Sequence, residues 1–522
     1  MVTFGNVDEY FANDMASKHR ASLVASLSVL VLNLFGHVTR PWCNVTLRLL
    51  SVALKESYAD HRSITPREQM ILNNFPTDIR TLRQAFALEA KTTVYVACPK
   101  CSCTYKPTLQ GKVLVYPSNC TFRRFPNAAP CQELLVTSHV QDGESVRVPK
   151  VPFVVQDFDA FVGGLLSRPG MEEAMDRGTV LCAKDLLDDI KDGSAVSELL
   201  GPDGKAFMDG LRRSELRLVW SLSASWFNPY TNKQAGKSAS VGSIAMALLN
   251  LPPGLRYRAD CIYLHGVVPR DPPLEQVNHF LTPLVDQLDV AYEKGTFFTK
   301  TYQHEKGRKV RSAAPVIVTD LPGGKKITGF AMHNFKTLFC TLCELTRDRI
   351  NDVNWMQWKP RDVEVLRKAA WQWKDAPSQA ERNRIFTQFG VRWSELWRLR
   401  YFNPIKMVIV DGMHTLFERV VQYHSRLVLG IDHPETGEQI VSKDQLVIAR
   451  SLLASNPSMS KLRMFTVPVL KALCTERGLN IFLAGGERMK KAHLLEALMT
   501  SMVSIFVAFC QWSLTHVPDT KP

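Results

Sequence analysis

Apolar residues recur at helical spacing at Leu23, Leu27, Leu30 and Leu34, and again at Val45, Leu49, Leu50 and Leu54. Residues 1–90 therefore read as a mostly helical region. Within it, Thr65-Pro66-Arg67-Glu68 has the form of a capped helix start, with proline at the first helical position where its missing N–H costs nothing. From 91 to 150 the character changes. Short β-rich pieces (Thr92 to Ala97, Lys112 to Tyr116, Leu134 to Ser138) lie between cysteines. Residues 151–213 read as a helical, partly charged connector.

From Leu216 the pattern becomes α/β. Strands are predicted over Leu216 to Ala224, Ser240 to Leu249 and Cys261 to Val268. An amphipathic helix follows over Leu274 to Ala291, then a strand from Ala314 to Thr319 that ends at Asp320. Three strands, a helix and a strand is the order of an RNase H-like core, which other α/β folds can share. The core is expected over 214–430, interrupted by a helical insertion at about 345–400 that is rich in Trp and Arg. A short apolar strand, Ile405 to Val410, ends at Asp411. Residues 431–500 read as a basic helical segment, and 501–522 as a tail. The predicted fold class is thus α/β, with a helical N-terminal region, a small zinc ribbon and a helical C-terminal segment around that core.

Composition narrows the picture only a little. The chain of 522 residues has 64 Lys+Arg against 50 Asp+Glu, a formal charge of +14. That length allows two to four domains, and 45% hydrophobic with 22% charged residues excludes a disordered or fibrous chain. The basic balance favours a polyanionic partner, nucleic acid before membrane. No secretory signal is expected, since Asp8, Glu9 and Asp14 precede the first apolar run. Ala21 to Phe35 is interrupted by Ser22, Ser26, Ser28 and Asn33 and falls short of the roughly 20 apolar residues of a membrane span.

The cysteines carry more information. Five of twelve fall between Cys98 and Cys131. Cys98-Pro-Lys-Cys101 can supply two zinc ligands from one knuckle, and Cys120 and Cys131 two more across a hairpin, leaving Cys103 as a spare or alternative ligand. The plainer alternative is five unrelated buried thiols. A second set, Cys340-Thr-Leu-Cys343 with Asp411-Gly-Met-His414 and His333, offers a further zinc knuckle. Asp320, at a strand end before Leu321-Pro322-Gly323-Gly324, is a candidate carboxylate for two-metal phosphoryl transfer. Taken alone, it could equally start the turn. Gly236-Lys237-Ser238 is not a phosphate-binding loop, because Thr231 stands where the first glycine is required.

Together these motifs resemble the CACTA-type (En/Spm) transposases. Leu216 to Tyr230 is similar to the family segment L-R-L-x-x-x-x-S-x-D-G/W-F-N-P-F. The likeness continues through Asn232 to Ser238, Asn250 to Tyr257, Val316 to Pro322, Cys340-x-x-Cys343, Arg392-Trp-Ser-Glu-Leu396 and Asp411-x-x-His414. The Cys98 to Cys131 ribbon is similar to the N-terminal module of such proteins in fungal genomes.

The resemblance implies a nuclear DNA transposase of the DDE type, using Mg²⁺ or Mn²⁺ at its active site and structural zinc at Cys98, Cys101, Cys120, Cys131, Cys340, Cys343, Asp411 and His414. Its partner would be DNA at transposon terminal repeats, with homo-oligomerisation compatible and neither a membrane nor a small-molecule substrate involved. Asp320 matches the second catalytic carboxylate. The first catalytic Asp, two residues before Phe-Asn-Pro, is here Ser225, whose neutral hydroxyl is a weak ligand for a hard cation. The third acid has no assigned position, and the tail does not resemble the family. A catalytically defective copy is expected, or else a non-catalytic zinc-dependent DNA-binding or scaffold protein derived from a transposase. DNA contacts are expected from Asn228, Lys233, Lys237, Arg308, Lys309 and Arg311. Lys490 and Lys491 join them in a stretch, about 462–500, similar to a SAP-type helix–loop–helix, or else a plain helical hairpin.

Overall fold

A computed structural model describes residues 3–5, 7, 10, 19–59, 63–86, 88–111, 113–141, 144–181, 187–208, 210, 215–228, 240–409, 411–430, 443–455, 457–481 and 489–501. The chain divides into two compact units, Met1–Thr415 and Leu416–Pro522.

Strand β9 is the middle of the first unit. In chain order the strands are β1 (Thr3–Gly5), β2 (Thr92–Ala97), β3 (Thr104–Tyr105), β4 (Thr108–Gln110), β5 (Val113–Val115), β6 (Val136–Gln141), β7 (Glu144–Pro149) and β8 (Pro152–Gln156). Then come β9 (Glu215–Phe227), β10 (Val241–Leu248), β11 (Ile262–Val268), β12 (Thr296–Phe298), β13 (Arg308–Val318) and β14 (Val408–Ile409). Ten of them form one sheet in the order β1-β12-β13-β9-β10-β11-β8-β2-β3, with β14 beside β13. β9, β10 and β11 are an antiparallel meander. The helix Asn278–Glu293 then carries the chain back, and β13 lies parallel to β9 and β14 parallel to β13. A return to a parallel neighbour needs such a crossover helix.

Both faces of β9 are covered, so it is almost continuously apolar, as strands buried on two sides are. Leu216, Leu218, Trp220 and Leu222 face the main core, against Phe280, Leu281, Leu284 and Leu288 of the crossover helix. Val219, on the other face, joins Phe207, Leu249, Tyr292 and Val316. The N-terminal helices Arg20–Leu34, Arg40–Ala59 and Ile79–Ala85 bury Val29, Leu30, Cys43, Leu47, Phe75, Ile79 and Leu82 in a cluster of their own. Between them Pro66–Asn73 starts as expected, with Thr65 accepting from the Glu68 N–H and Glu68 accepting from the Thr65 N–H.

Three expectations need correcting. The connector does not begin as a helix: Pro152–Gln156 is a strand, because it pairs antiparallel with residues 92–96 of β2 and so draws the cysteine-rich module into the main sheet. Ile405 belongs to a short helix, Pro404–Met407, capped by Asn403, and only Val408–Ile409 are extended. The third concerns the strand expected from Ala314: it begins at Arg308, so the basic run before Ala314 is the first half of β13, and its arginines have internal partners. Arg308, 3% exposed, bonds both oxygens of Asp176 at 2.7 and 2.8 Å and Glu172 at 3.1 Å. Arg311 pairs with Glu215 at 3.1 Å and with the carbonyls of Tyr292 and Glu293, while Lys309 stands 3.8 Å from Glu215. Arg308 and Arg311, expected at DNA, are thus engaged with partners inside the protein.

In the second unit, Lys443–Ala454 and Val467–Glu476 pack with a helix over 491–501 around Leu470, Leu473, Cys474, Leu494, Leu495 and Leu498. Lys490 is exposed, and Lys491 donates to the Arg463 carbonyl at 2.7 Å.

Arg308→Ala would leave the fully buried Glu172 without its cation. Urea unfolding of this variant is expected to show a loss of about 3–5 kcal/mol, the cost of breaking a buried pair from one side.

Candidate functional site

The ends of β9 and β13 bring Ser225 and Asp320 together. The parallel register ends with Ile317 against Leu222, and Ser225 and Asp320 each lie three residues beyond that last pair, Asp320 past the end of β13. Thr319 Oγ1 holds the two strand ends in contact by donating to the Ala224 carbonyl at 2.6 Å. Ser225 is exposed on the face it shares with Ser221 and Ser223. Asp320 is the N-cap of the helix Leu321–Thr328, its Oδ1 accepting from the Gly323 N–H at 2.9 Å. A Cβ on Gly323 would fall 2.5 Å from that oxygen and 2.6 Å from Thr319 Oγ1, so the glycine is required for the cap. Asp320 thus starts the turn, and it does so just past a strand end.

A further carboxylate was not anticipated at this rim. β14 pairs with β13 through Val318 and Ile409, so Asp411 follows β14 by the same two residues by which Asp320 follows β13. Asp411 accepts from the Met413 N–H at 2.9 Å and pairs with His414 Nδ1, and this histidine is the first cause of its lowered pKa. Only the parallel pairing of a two-residue strand reveals the correspondence, which no motif spacing encodes.

The cysteine-rich module forms a compact ligand set. The sulfurs of Cys98, Cys101, Cys120 and Cys131 all lie within 4.8 Å of one another, with Cys98–Cys131 at 3.8 Å and Cys101–Cys120 at 3.5 Å. A tetrahedron with Zn–S bonds of about 2.3 Å has S–S edges of about 3.8 Å, so the donor set fits a metal ion such as zinc. Local structure explains the fit. Cys98 and Cys101 bracket a tight turn in which the Cys101 N–H points at Cys98 Sγ (3.5 Å) and Ser102 adopts a left-handed φ of 64°. Arg270 clamps this turn through the carbonyls of Pro99 and Cys98 and through Ser102 Oγ. The Tyr105 hydroxyl, 3.2 Å from Cys120 Sγ, accepts from the Thr121 and Phe122 N–H groups. Burial raises the pKa of Cys98 and Cys101, a cost that a bound cation offsets. Cys103 is left out of the cluster; burial pushes its thiol up to about 12.

The second expected set does not come together in this way. Among the described residues the four cysteines above are the group of three or more with ligand atoms this close. Cys340 and Cys343 neighbour each other on a turn held by Arg361, which donates to the Cys340 carbonyl. Asp411 and His414 form their own pair, and His333 is exposed. Asn228 lies at the exposed end of β9, whereas Lys233 and Lys237 fall outside the described residues.

Residues 206–358 match the model of the transposase family tnp2. The matched span runs from before β9, through Ser225 and Asp320, to just beyond Cys343. The match supports a transposase-like function, with DNA as the partner it implies. No curated protein matches the chain. Among the described residues no helix is long and apolar enough to cross a membrane.

The thiol cluster predicts one tightly held metal ion per chain, measurable by elemental analysis. Cys98→Ser or Cys120→Ser should abolish it and lower the melting temperature. Metal retention should weaken as pH falls, because thiolate ligands compete with protons.

Proposed function

We propose that the chain is a transposase-derived DNA-binding protein of the CACTA type whose strand-cleavage centre is incomplete. The strand order β11-β10-β9-β13-β14, antiparallel in the meander and parallel beyond it, with the crossover helix between, supports an RNase H-like core. In such a core the ends of β9 and β13 carry the catalytic acids. The observation that carries the reading is the exposed Ser225, whose neighbour Ala224 accepts from Thr319, the residue before Asp320.

Two-metal phosphoryl transfer needs carboxylates that converge on hard cations. Here one position offers a neutral hydroxyl, and Asp320 has one oxygen committed to its helix cap. These residues do not fit a pair of Mg²⁺ or Mn²⁺ ions, so no cleavage step is assigned to them. What remains is recognition: a zinc-stapled module and a basic chain that hold element-end DNA in the nucleus.

A second reading, residual nuclease activity, is favoured by Asp411 alone, which could contribute the carboxylate that Ser225 lacks.

Nicking of terminal-repeat duplexes with Mn²⁺ separates the two. The unmodified chain is expected to bind but not cut. Nicking lost in both Asp320→Asn and Asp411→Asn would overturn the incomplete-centre reading. Nicking gained by Ser225→Asp would identify that side chain as the missing part.

A further inference from the structure

Beside the cysteine cluster, with Cys101 and Cys131 in its lining, is a cleft of about 1,020 Å³. Its walls come from the cysteine-rich module, the start of the crossover helix and the Trp- and Arg-rich helices Val363–Asp375 and Gln379–Phe389. Six cations line it: Lys100, Arg123, Arg124, Lys374, Arg382 and Arg392. Three carboxylates face them, Glu275, Asp375 and Glu395, an excess of three positive charges from six minus three. The carboxylates are also partly committed. Glu275 pairs with Arg124 at 3.4 Å, and Glu395 accepts from Arg398 at 3.0 Å and from Trp393 Nε1 at 2.9 Å.

Arg382 and Arg392 are the informative pair. Arg382 is 7% exposed and donates to two carbonyls, those of Trp373 and Lys374. Arg392 Nη1 is buried without a hydrogen-bond partner. Neither guanidinium is hydrogen-bonded to a carboxylate; Glu275, already paired with Arg124, is the carboxylate whose charge both feel, so three cations share one counter-charge. An anionic ligand in the cleft would add the charge that one shared carboxylate does not supply. His279, held neutral by burial with a pKa lowered to about 4, adds no positive charge of its own.

The same walls are aromatic. Phe122 and Phe125, both partly exposed, line the cleft as the rings open to a base, and the buried Trp373 and Trp393 back it. The Arg382 guanidinium sits 4.6 Å from the Phe125 ring and 4.3 Å from the Trp373 ring, and Lys374 Nζ is 4.2 Å from Trp393. Phosphates want the cations, and unstacked bases want the ring faces and guanidinium planes. A duplex offers only the first, since its base faces are hidden in the stack.

We propose that this cleft binds a single-stranded segment of DNA, with Arg382 and Arg392 receiving phosphate and the aromatic walls receiving bases. The inference rests on the DNA-binding part of the proposed function and not on the strand-end carboxylates.

Anisotropy of a short fluorescent oligo-dT, with the full chain and no added divalent ion, provides the test. Oligo-dT is expected to bind more tightly than a duplex of equal length and to quench tryptophan fluorescence. The logarithm of affinity should fall against log salt with a slope of about −2, from three net charges on a single strand. Lys100→Ala with Lys374→Ala, both at the cleft mouth, should weaken oligo-dT about tenfold at an unchanged melting temperature, and Arg392→Gln should add to the loss. Equal affinity for duplex and single strand would overturn the proposal, as would full affinity in the folded triple variant. Should the triple variant unfold, Lys100→Ala alone decides through the same salt slope, which must become shallower. Binding to oligo-dT without affinity for duplex element ends would sink the proposed function and leave the cleft; the converse would sink the cleft alone.

Discussion

The parallel pairing of β13 on β9 is the constraint on which the rest of this molecule depends. It closes the crossover of Asn278–Glu293 and seats β14, and it brings together the strand ends beside Ser225 and Asp320. A one-residue slip would turn every side chain of β13 to the opposite face. Several contacts prevent that slip. The buried pairs of Arg308 with Glu172 and Asp176 anchor the start of the strand, and Arg311 joins Glu215 beside it. Thr319 ties the far end to the Ala224 carbonyl. Structural cations at one end of β13 thus hold the geometry at the other, where the chemistry would lie.

That arrangement explains what was legible in the chain beforehand. The four strands and crossover helix of the core follow from apolar runs of the right length, since β9 is buried on both faces and needs no alternation to announce itself. The four zinc-type cysteines were readable too, because a Cys-x-x-Cys turn encodes its own geometry. Ser225 and Asp320 were paired by family likeness, and their chain neighbours Ala224 and Thr319 are hydrogen-bonded. Less was legible wherever the meaning of a residue depends on a distant partner. Arg308 and Arg311 look like a solvated basic run until Glu172, Asp176 and Glu215 are brought beside them. The alignment of Asp411 with Asp320 depends on a two-residue strand that periodicity cannot resolve. Cys340 and Cys343 carry a convincing spacing, yet spacing alone could not show that His414 would be engaged with Asp411 instead.

The positive charge of the chain follows the same division. Arg217, Arg256 and Arg308 are buried and matched to carboxylates, Arg256 to both oxygens of Asp189 at 2.9 and 2.6 Å and Arg217 to Asp203 and Glu215. Such pairs contribute little to any external field, because each cation is neutralised within hydrogen-bond distance. The net charge of +14 therefore says little about where a polyanion would bind. Desolvated cations with no carboxylate of their own are the better guide. Arg382 and Arg392 share Glu275 with Arg124 while lying against aromatic rings. A cation that folding leaves under-compensated lowers stability unless a ligand completes it, so its persistence beside a cleft is a stronger pointer to an anionic partner than any count of surface lysines. That criterion is what directs the proposed nucleic-acid contact to the cleft beside the cysteine cluster and not to the strand-end rim with Ser225.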